Sequence, residues 1–104
     1  MDIWFGDDDT AELCSRTTSL TARWGLRGGM AVGRRLLQIE AAPTMTALQT
    51  LPGDLRRDAT DGTWMINASD VAIIKFELDD GAANGTHAVR VLSVSDQPAE
   101  RKRR

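Results

Sequence analysis

One histidine, one cysteine and a few clusters of cations are the side chains of this 104-residue chain with the means to do chemistry. His87 is alone in having an ordinary pKa close to 7, the value a proton-transfer group needs. It follows the Asn84-Gly85 turn at the beginning of a predicted strand, the setting of a surface histidine. Cys14 falls among apolar residues at helical spacing with no histidine nearby in sequence, which makes it a small core residue rather than a nucleophile. Asp7-Asp8-Asp9 has the place and sign of charges at a helix start. One His, one Cys and scattered acids give no metal-ligand spacing, so neither metal nor cofactor is expected. The glycines from Gly25 to Gly33 lack the Gly-Lys-Ser/Thr ending of a phosphate loop. The cations remain: Arg56 and Arg57, placed to contact phosphates from a strand or loop; Arg90, expected to pair with Glu77; and Arg101-Lys102-Arg103-Arg104, a tail able to give salt-sensitive phosphate affinity.

The charge distribution limits what those cations can do. The net charge is −2, and residues 101–104 are all basic, so the body of the chain is acidic. Residues 1–15 hold five acids and no base, whereas residues 16–40 hold five arginines and only Glu40. Polyanion binding must therefore come from local patches. The length suits one compact domain, here 1–96, with 97–104 a flexible basic tail. There is no apolar run near the ~20 residues of a membrane span. The acidic start lacks the basic and apolar regions of a signal peptide. A cytoplasmic protein without disulfides is expected.

The elements that must hold these groups follow from periodicity. Ile3-Trp4-Phe5 predicts a first strand. Leu13, Thr17, Leu20 and Trp24 predict a helix over about 9–24, with Asp9 and Glu12 at helix-start spacing. The glycines predict a break near 25–29. Val32, Leu36 and Ile39 predict a second, amphipathic helix ending before Pro43, with Arg34 and Arg35 beside its apolar face. Residues 44–48 add a turn, and Leu51-Pro52-Gly53-Asp54 is a stop. Asp61-Gly62 punctuates a hairpin. Residues 63–67, 71–78 and 88–94 read as strands, with Ala72, Ile74, Phe76 and Leu78 on one face and the last strand apolar on both. The order predicts an α+β two-layer domain.

This order, with several local motifs, resembles the RelE/HigB superfamily of toxin–antitoxin toxins, and within it the plasmid-maintenance killer branch. The resemblance is carried by Ile3-Trp4-Phe5-Gly6-Asp7 with Leu13-Cys14, by the run Gly33 to Pro43 with its Ala41-Ala42-Pro43 ending, and by the connector Leu48 to Gly53. It continues through Asp61-Gly62-Thr63-Trp64, Ile73-Ile74-Lys75-Phe76 and Val91 to Asp96. It implies a RelE-like fold, an N-terminal strand and two helices packed on a small, mainly antiparallel sheet. It also implies an mRNA endonuclease acting on the ribosome and inhibiting translation, and a cognate antitoxin, often of helix-turn-helix type. Some relatives instead poison DNA gyrase, and a member without its chemistry would only bind its antitoxin or a regulator.

The resemblance also implies a site. RNA cleavage by 2′-hydroxyl attack needs a base, cations on the phosphate and an acid for the leaving oxygen. The family's phosphate-stabilising arginine is replaced here by Ile73, and its terminal Asp-Tyr-His by Asp96-Gln97-Pro98, in a chain with no tyrosine. Lys75, two residues after Ile73 on the same strand face, takes over the positive charge. Lys75 and Arg56 are thus the expected catalytic residues, and Arg56, Arg57, Lys75, Arg101, Lys102 and Arg103 the expected RNA contacts. Arg34 and Arg35 are the expected antitoxin contacts. Trp4, Trp24 and Trp64 are expected in the core, Trp64 being the one placed to stack a base.

Overall fold

In a computed structural model, which describes residues 2–79 and 88–97, the short aromatic run near the start forms β1 (Asp2–Phe5). His87, the Asn84-Gly85 turn and the basic tail Arg101, Lys102, Arg103 and Arg104 lie outside the described residues. Helix α1 (Asp8–Ser15) follows, and its N-cap is Asp7, whose side chain accepts from the Thr10 amide at 2.7 Å. The cap is thus two residues before the predicted Asp9, which with Asp8 sits in the first turn and complements the helix dipole. The Thr10 amide holds the Asp7 carboxyl below its ordinary pKa.

The predicted first helix is interrupted at Arg16, whose backbone is extended, and the chain resumes as α2 (Thr17–Ala41). A sharp kink divides α2 at Gly25, where φ is 77° and ψ is 176°. The two limbs come so close that a Cβ on Gly29 would lie 2.9 Å from the Leu20 carbonyl carbon. Only a glycine lets the backbones meet there, so the glycine cluster is a helix-packing device. After Pro43, Thr44 caps α3 (Met45–Gln49) by accepting from the Ala47 amide at 3.1 Å.

The remaining strands are β2 (Arg56–Arg57), β3 (Trp64–Ala68), β4 (Ala72–Asp79) and β5 (Ala88–Asp96). The sheet order is β1-β5-β4-β3-β2; β1 runs parallel to β5, and the other neighbours are antiparallel. The fold is therefore α+β with a mixed five-stranded sheet among the described residues. Ile66, Ile74, Phe76, Val89 and Val91 from the sheet and Val32, Ile39 and Leu48 from the helices are fully buried in one cluster. Each such side chain contributes about 1.5–3 kcal/mol. A β-bulge in β5 sets Lys75 opposite Ser93 and Phe76 opposite Val91, leaving Leu92 as the extra residue. That extra residue changes which face later side chains reach, so Val89, Val91 and Val94 all turn inward. The apolar character on both faces of the last strand is in part this change of parity.

Cys14 is half-buried against the core, and burial pushes its thiol up to about 11. Alkylation by iodoacetamide at pH 8 is therefore expected to run ~100-fold slower than for a free cysteine peptide, because only the thiolate reacts. Mass spectrometry of the labelled protein checks this, and labelling at the peptide's rate contradicts it.

Candidate functional site

The two faces of the sheet separate the groups singled out in the sequence. Along β4, Ala72, Ile74 and Phe76 are fully buried and Ile73, Lys75 and Glu77 alternate with them, so the latter three point away from the helices. The register sets Arg56 opposite Met65, Met65 opposite Lys75, and Lys75 opposite Ser93. Arg56 and Lys75 thus belong to one cross-strand row, two strands or about 10 Å apart. Asn67, Ile73 and Ser95 form the next row on one side, and Glu77, Arg90 and Trp4 the next on the other.

The hairpin between β2 and β3 supplies the counter-charges. Lys75 Nζ lies 2.9 Å from Asp61 Oδ2 and 3.9 Å from Asp58 Oδ2. Asp61 also closes the turn, its Oδ1 accepting from the Thr63 hydroxyl at 2.6 Å and the Thr63 amide at 3.0 Å. Those two bonds, and then Lys75, hold the Asp61 carboxyl far below the usual carboxylate range. The hydrogen bond from Lys75 to Asp61 raises the lysine in turn. Arg56 donates to the Asp54 carbonyl at 2.9 Å and to Asn67 Oδ1 at 3.2 Å, and lies 3.6 Å from the Asp54 carboxylate. Arg90 pairs with Glu77 at 3.1 Å, as the sequence predicts, on this same face.

Arg57 does not join Arg56. Adjacent strand residues point to opposite faces, and Arg57 sits opposite Trp64 with its guanidinium 5.7 Å from that ring's centroid. Arg35 departs from its expected surface role: it is 9% exposed and donates to the Asn67 carbonyl at 2.8 Å and to Gln38 Oε1. Burial, and then Arg34, lower its pKa. Arg35 therefore fixes α2 to β3, while Arg34 is exposed. Asp96 is also structural, accepting from Trp24 Nε1 at 2.7 Å and pairing with Arg23 at 3.5 Å.

The tryptophans redistribute too. Trp24 and Trp64 are partly buried and pack against the core. Trp4, expected inside, is 62% exposed, because Ile3 and Phe5 take the inward positions of β1. It borders a groove of about 470 Å³ with Phe5, Gly6 and Arg90. The alternation around Trp4 was the available signal, since a strand with Ile3 and Phe5 inward must send Trp4 outward. Among the described residues the face thus carries three cations, each countered by a carboxylate, and one exposed aromatic surface. It can hold a phosphate and stack a base once a carboxylate yields.

Comparison with protein families, curated proteins and solved structures finds no match for this chain. Among the described residues, no helix is long and apolar enough to cross a membrane.

Proposed function

We propose that this chain is the toxin of a RelE/HigB-like toxin–antitoxin pair of the plasmid-maintenance killer branch, cutting mRNA on the ribosome and so inhibiting translation. The observation that carries the reading is the single row that sets Arg56 and Lys75 on the sheet face turned away from the helices. Two cations whose backbones stand about 10 Å apart on one face can both contact phosphates of a single RNA strand. Lys75, kept protonated by Asp61, serves as a fixed positive charge for the phosphate that is attacked, not as the base. Asp58, whose Oδ2 lies 3.9 Å from Lys75 Nζ, is the carboxylate beside that charge which this reading casts as the proton acceptor. Trp4 offers a stacking surface for a base at the far side of the same face. The partner of such a toxin is a cognate antitoxin, of helix-turn-helix type in this reading, and its place of work is the cytoplasm.

A second reading is favoured by one feature. Among the described residues every cation of the face is already paired, and Ile73 stands where the resemblance implies an arginine. A protein with that face can bind an antitoxin or a regulator without cutting RNA. Induced expression separates the two. The toxin is expected to arrest growth and to leave discrete mRNA ends, mapped by primer extension, that depend on translation. Soluble protein with neither arrest nor new ends supports the non-cutting reading instead.

A further inference from the structure

Resting on the reading that the sheet face turned away from the helices meets RNA, we propose that Trp4, Arg90 and Glu77 form a pocket for one unpaired guanine of that strand. The register sets Trp4 beside Arg90 on β5 and Arg90 beside Glu77 on β4, so the three make one row across the sheet. Their side chains share a face. Ile3 and Phe5 pack against the core on either side of Trp4. Val89 and Val91 flank Arg90 and are fully buried, as is Phe76 beside Glu77. Among the described residues Trp4 is the one exposed aromatic side chain. The groove it borders with Phe5, Gly6 and Arg90 has a volume of about 470 Å³. That falls in the ~300–1,000 Å³ range of sites for small organic groups. Gly6 brings no side chain to it, and its amide donates to the Val91 carbonyl at 2.8 Å, so backbone forms that end of the groove.

Donors and acceptors identify the base. Trp4 offers every base a stacking surface and does not choose among them. Arg90 Nη1 donates to Glu77 Oε2 at 3.1 Å, a contact that uses one nitrogen of the guanidinium and one oxygen of the carboxylate. The pair therefore presents donors on β5 and, one strand on, acceptors on β4. Guanine has the matching edge: two adjacent acceptors, N7 and O6, followed by two adjacent donors, N1–H and the N2 amino group. Arginine bidentate to O6 and N7 is the commonest base-specific contact of nucleic-acid readout. Adenine and uracil offer one acceptor beside one donor, and cytosine one amino donor beside acceptors. Each would leave part of the pair unsatisfied, which is how a polar site rejects the wrong ligand. Arg90 and Glu77 cancel in charge, so they add selection rather than general affinity for polyanions. Their row lies one step, about 7 Å along the strands, from the row of Lys75. A guanine there belongs to a nucleotide close to the attacked phosphate.

The test uses the full chain and fluorescein-labelled RNA hexamers: hexauridine, and hexauridine carrying a single internal guanine, adenine or cytosine. Fluorescence anisotropy is expected to show the guanine hexamer binding about tenfold more tightly than the others. Trp4→Ala is expected to weaken the guanine hexamer about tenfold, and Trp4→Phe to restore most of that loss, because phenylalanine keeps a ring to stack on. Glu77→Gln is expected to remove the preference for guanine, with the circular dichroism spectrum unchanged. Guanosine monophosphate at the hexamer's concentration is expected not to displace it, since it lacks the chain that Arg56 and Lys75 would hold. A guanine preference in a protein that cuts no mRNA supports the pocket and counts against the nuclease. Equal binding of all four hexamers overturns the pocket and leaves RNA binding by the face standing, as does a preference that survives Glu77→Gln. Failure of every hexamer to bind overturns the pocket and RNA binding by the face together. Displacement by guanosine monophosphate overturns the pocket too, since the groove would then take a free nucleotide.

Discussion

Lys75→Ala is expected to cut the rate of mRNA cleavage by about 100-fold, and Asp61→Asn to raise it by about three- to fivefold. The first figure is the usual cost of removing one charge-stabilising group from a phosphoryl or acyl transition state. The second is what releasing a cation from an exposed ion pair returns. The Asn variant is specific because Asp61 uses its two oxygens differently. Oδ1 accepts from Thr63 and closes the turn, whereas Oδ2 faces Lys75 at 2.9 Å. Asparagine keeps one acceptor for Thr63 and removes the charge from Lys75. The pair also fixes a pH window. The depressed Asp61 carboxyl contributes stability that is present above the ordinary carboxylate range and is lost as pH falls through the lowered value. The raised Lys75 contributes stability that is present below the ordinary lysine range and is lost as pH rises through the raised value. From about pH 5 to about pH 9 both groups are charged, so the stability difference between wild type and Asp61→Asn should be flat there. It should shrink in stronger acid. Urea denaturation across pH reads this difference, and a strong slope between those limits would contradict the pairing.

The second large effect concerns stability. Gly53→Ala is expected to destabilise the protein by about 3 kcal/mol, the sum of a left-handed backbone penalty and an overpacking penalty. Gly53 has φ of 122°, and a Cβ there would lie 2.5 Å from the Asn67 carbonyl oxygen and 2.9 Å from Ile66 Cγ1. That oxygen belongs to β3 and already accepts from Arg35 at 2.8 Å, while the Asn67 amide donates to the Gly53 carbonyl at 2.7 Å. An alanine would therefore push on the point where the connector, α2 and β3 are held together. The melting temperature should fall by roughly 10–20 °C. The neighbouring change Asp54→Asn keeps a residue type that tolerates the positive φ of 58° there and removes only the charge of an exposed ion pair with Arg56, so it should fall within about 1 kcal/mol of wild type. Equal thermal stability of Gly53→Ala and wild type would show that the connector does not lie against β3 in this way.

Much of the scaffold was legible because its signals are local. The alternation Ala72, Ile74, Phe76, Leu78 marks β4, and the glycines mark the kink. Ala42-Pro43 ends α2 where a proline forces extended backbone on the residue before it. The cap lies two residues from the predicted Asp9 because Asp7, Asp8 and Asp9 are equivalent as charges, and only the backbone shows which one caps. The break at Arg16 carries no composition signal. The bulge at Leu92 is a pairing property that no single strand displays.

The site was legible residue by residue but not as an arrangement. Lys75 and Arg56 were visible as cations, yet their common row depends on the register of three strands. The same register delivers Asp58 and Asp61 onto Lys75, an association that sequence separation hides. Arg35 looked like Arg34 in sequence, and one step along a helix, about 100°, turned it from solvent into the interior. Residue type alone sends Trp4 to the core, because tryptophan is mostly buried, whereas its neighbours Ile3 and Phe5 already claim the inward face.

Cleavage of a defined mRNA in a reconstituted translation reaction, compared for wild type, Lys75→Ala and Asp61→Asn, tests the central claim most directly. Discrete cuts that require ribosomes, strengthened by Asp61→Asn and nearly abolished by Lys75→Ala, are the predicted result. Absence of cuts from all three folded proteins, or cuts that ignore both substitutions, would contradict it.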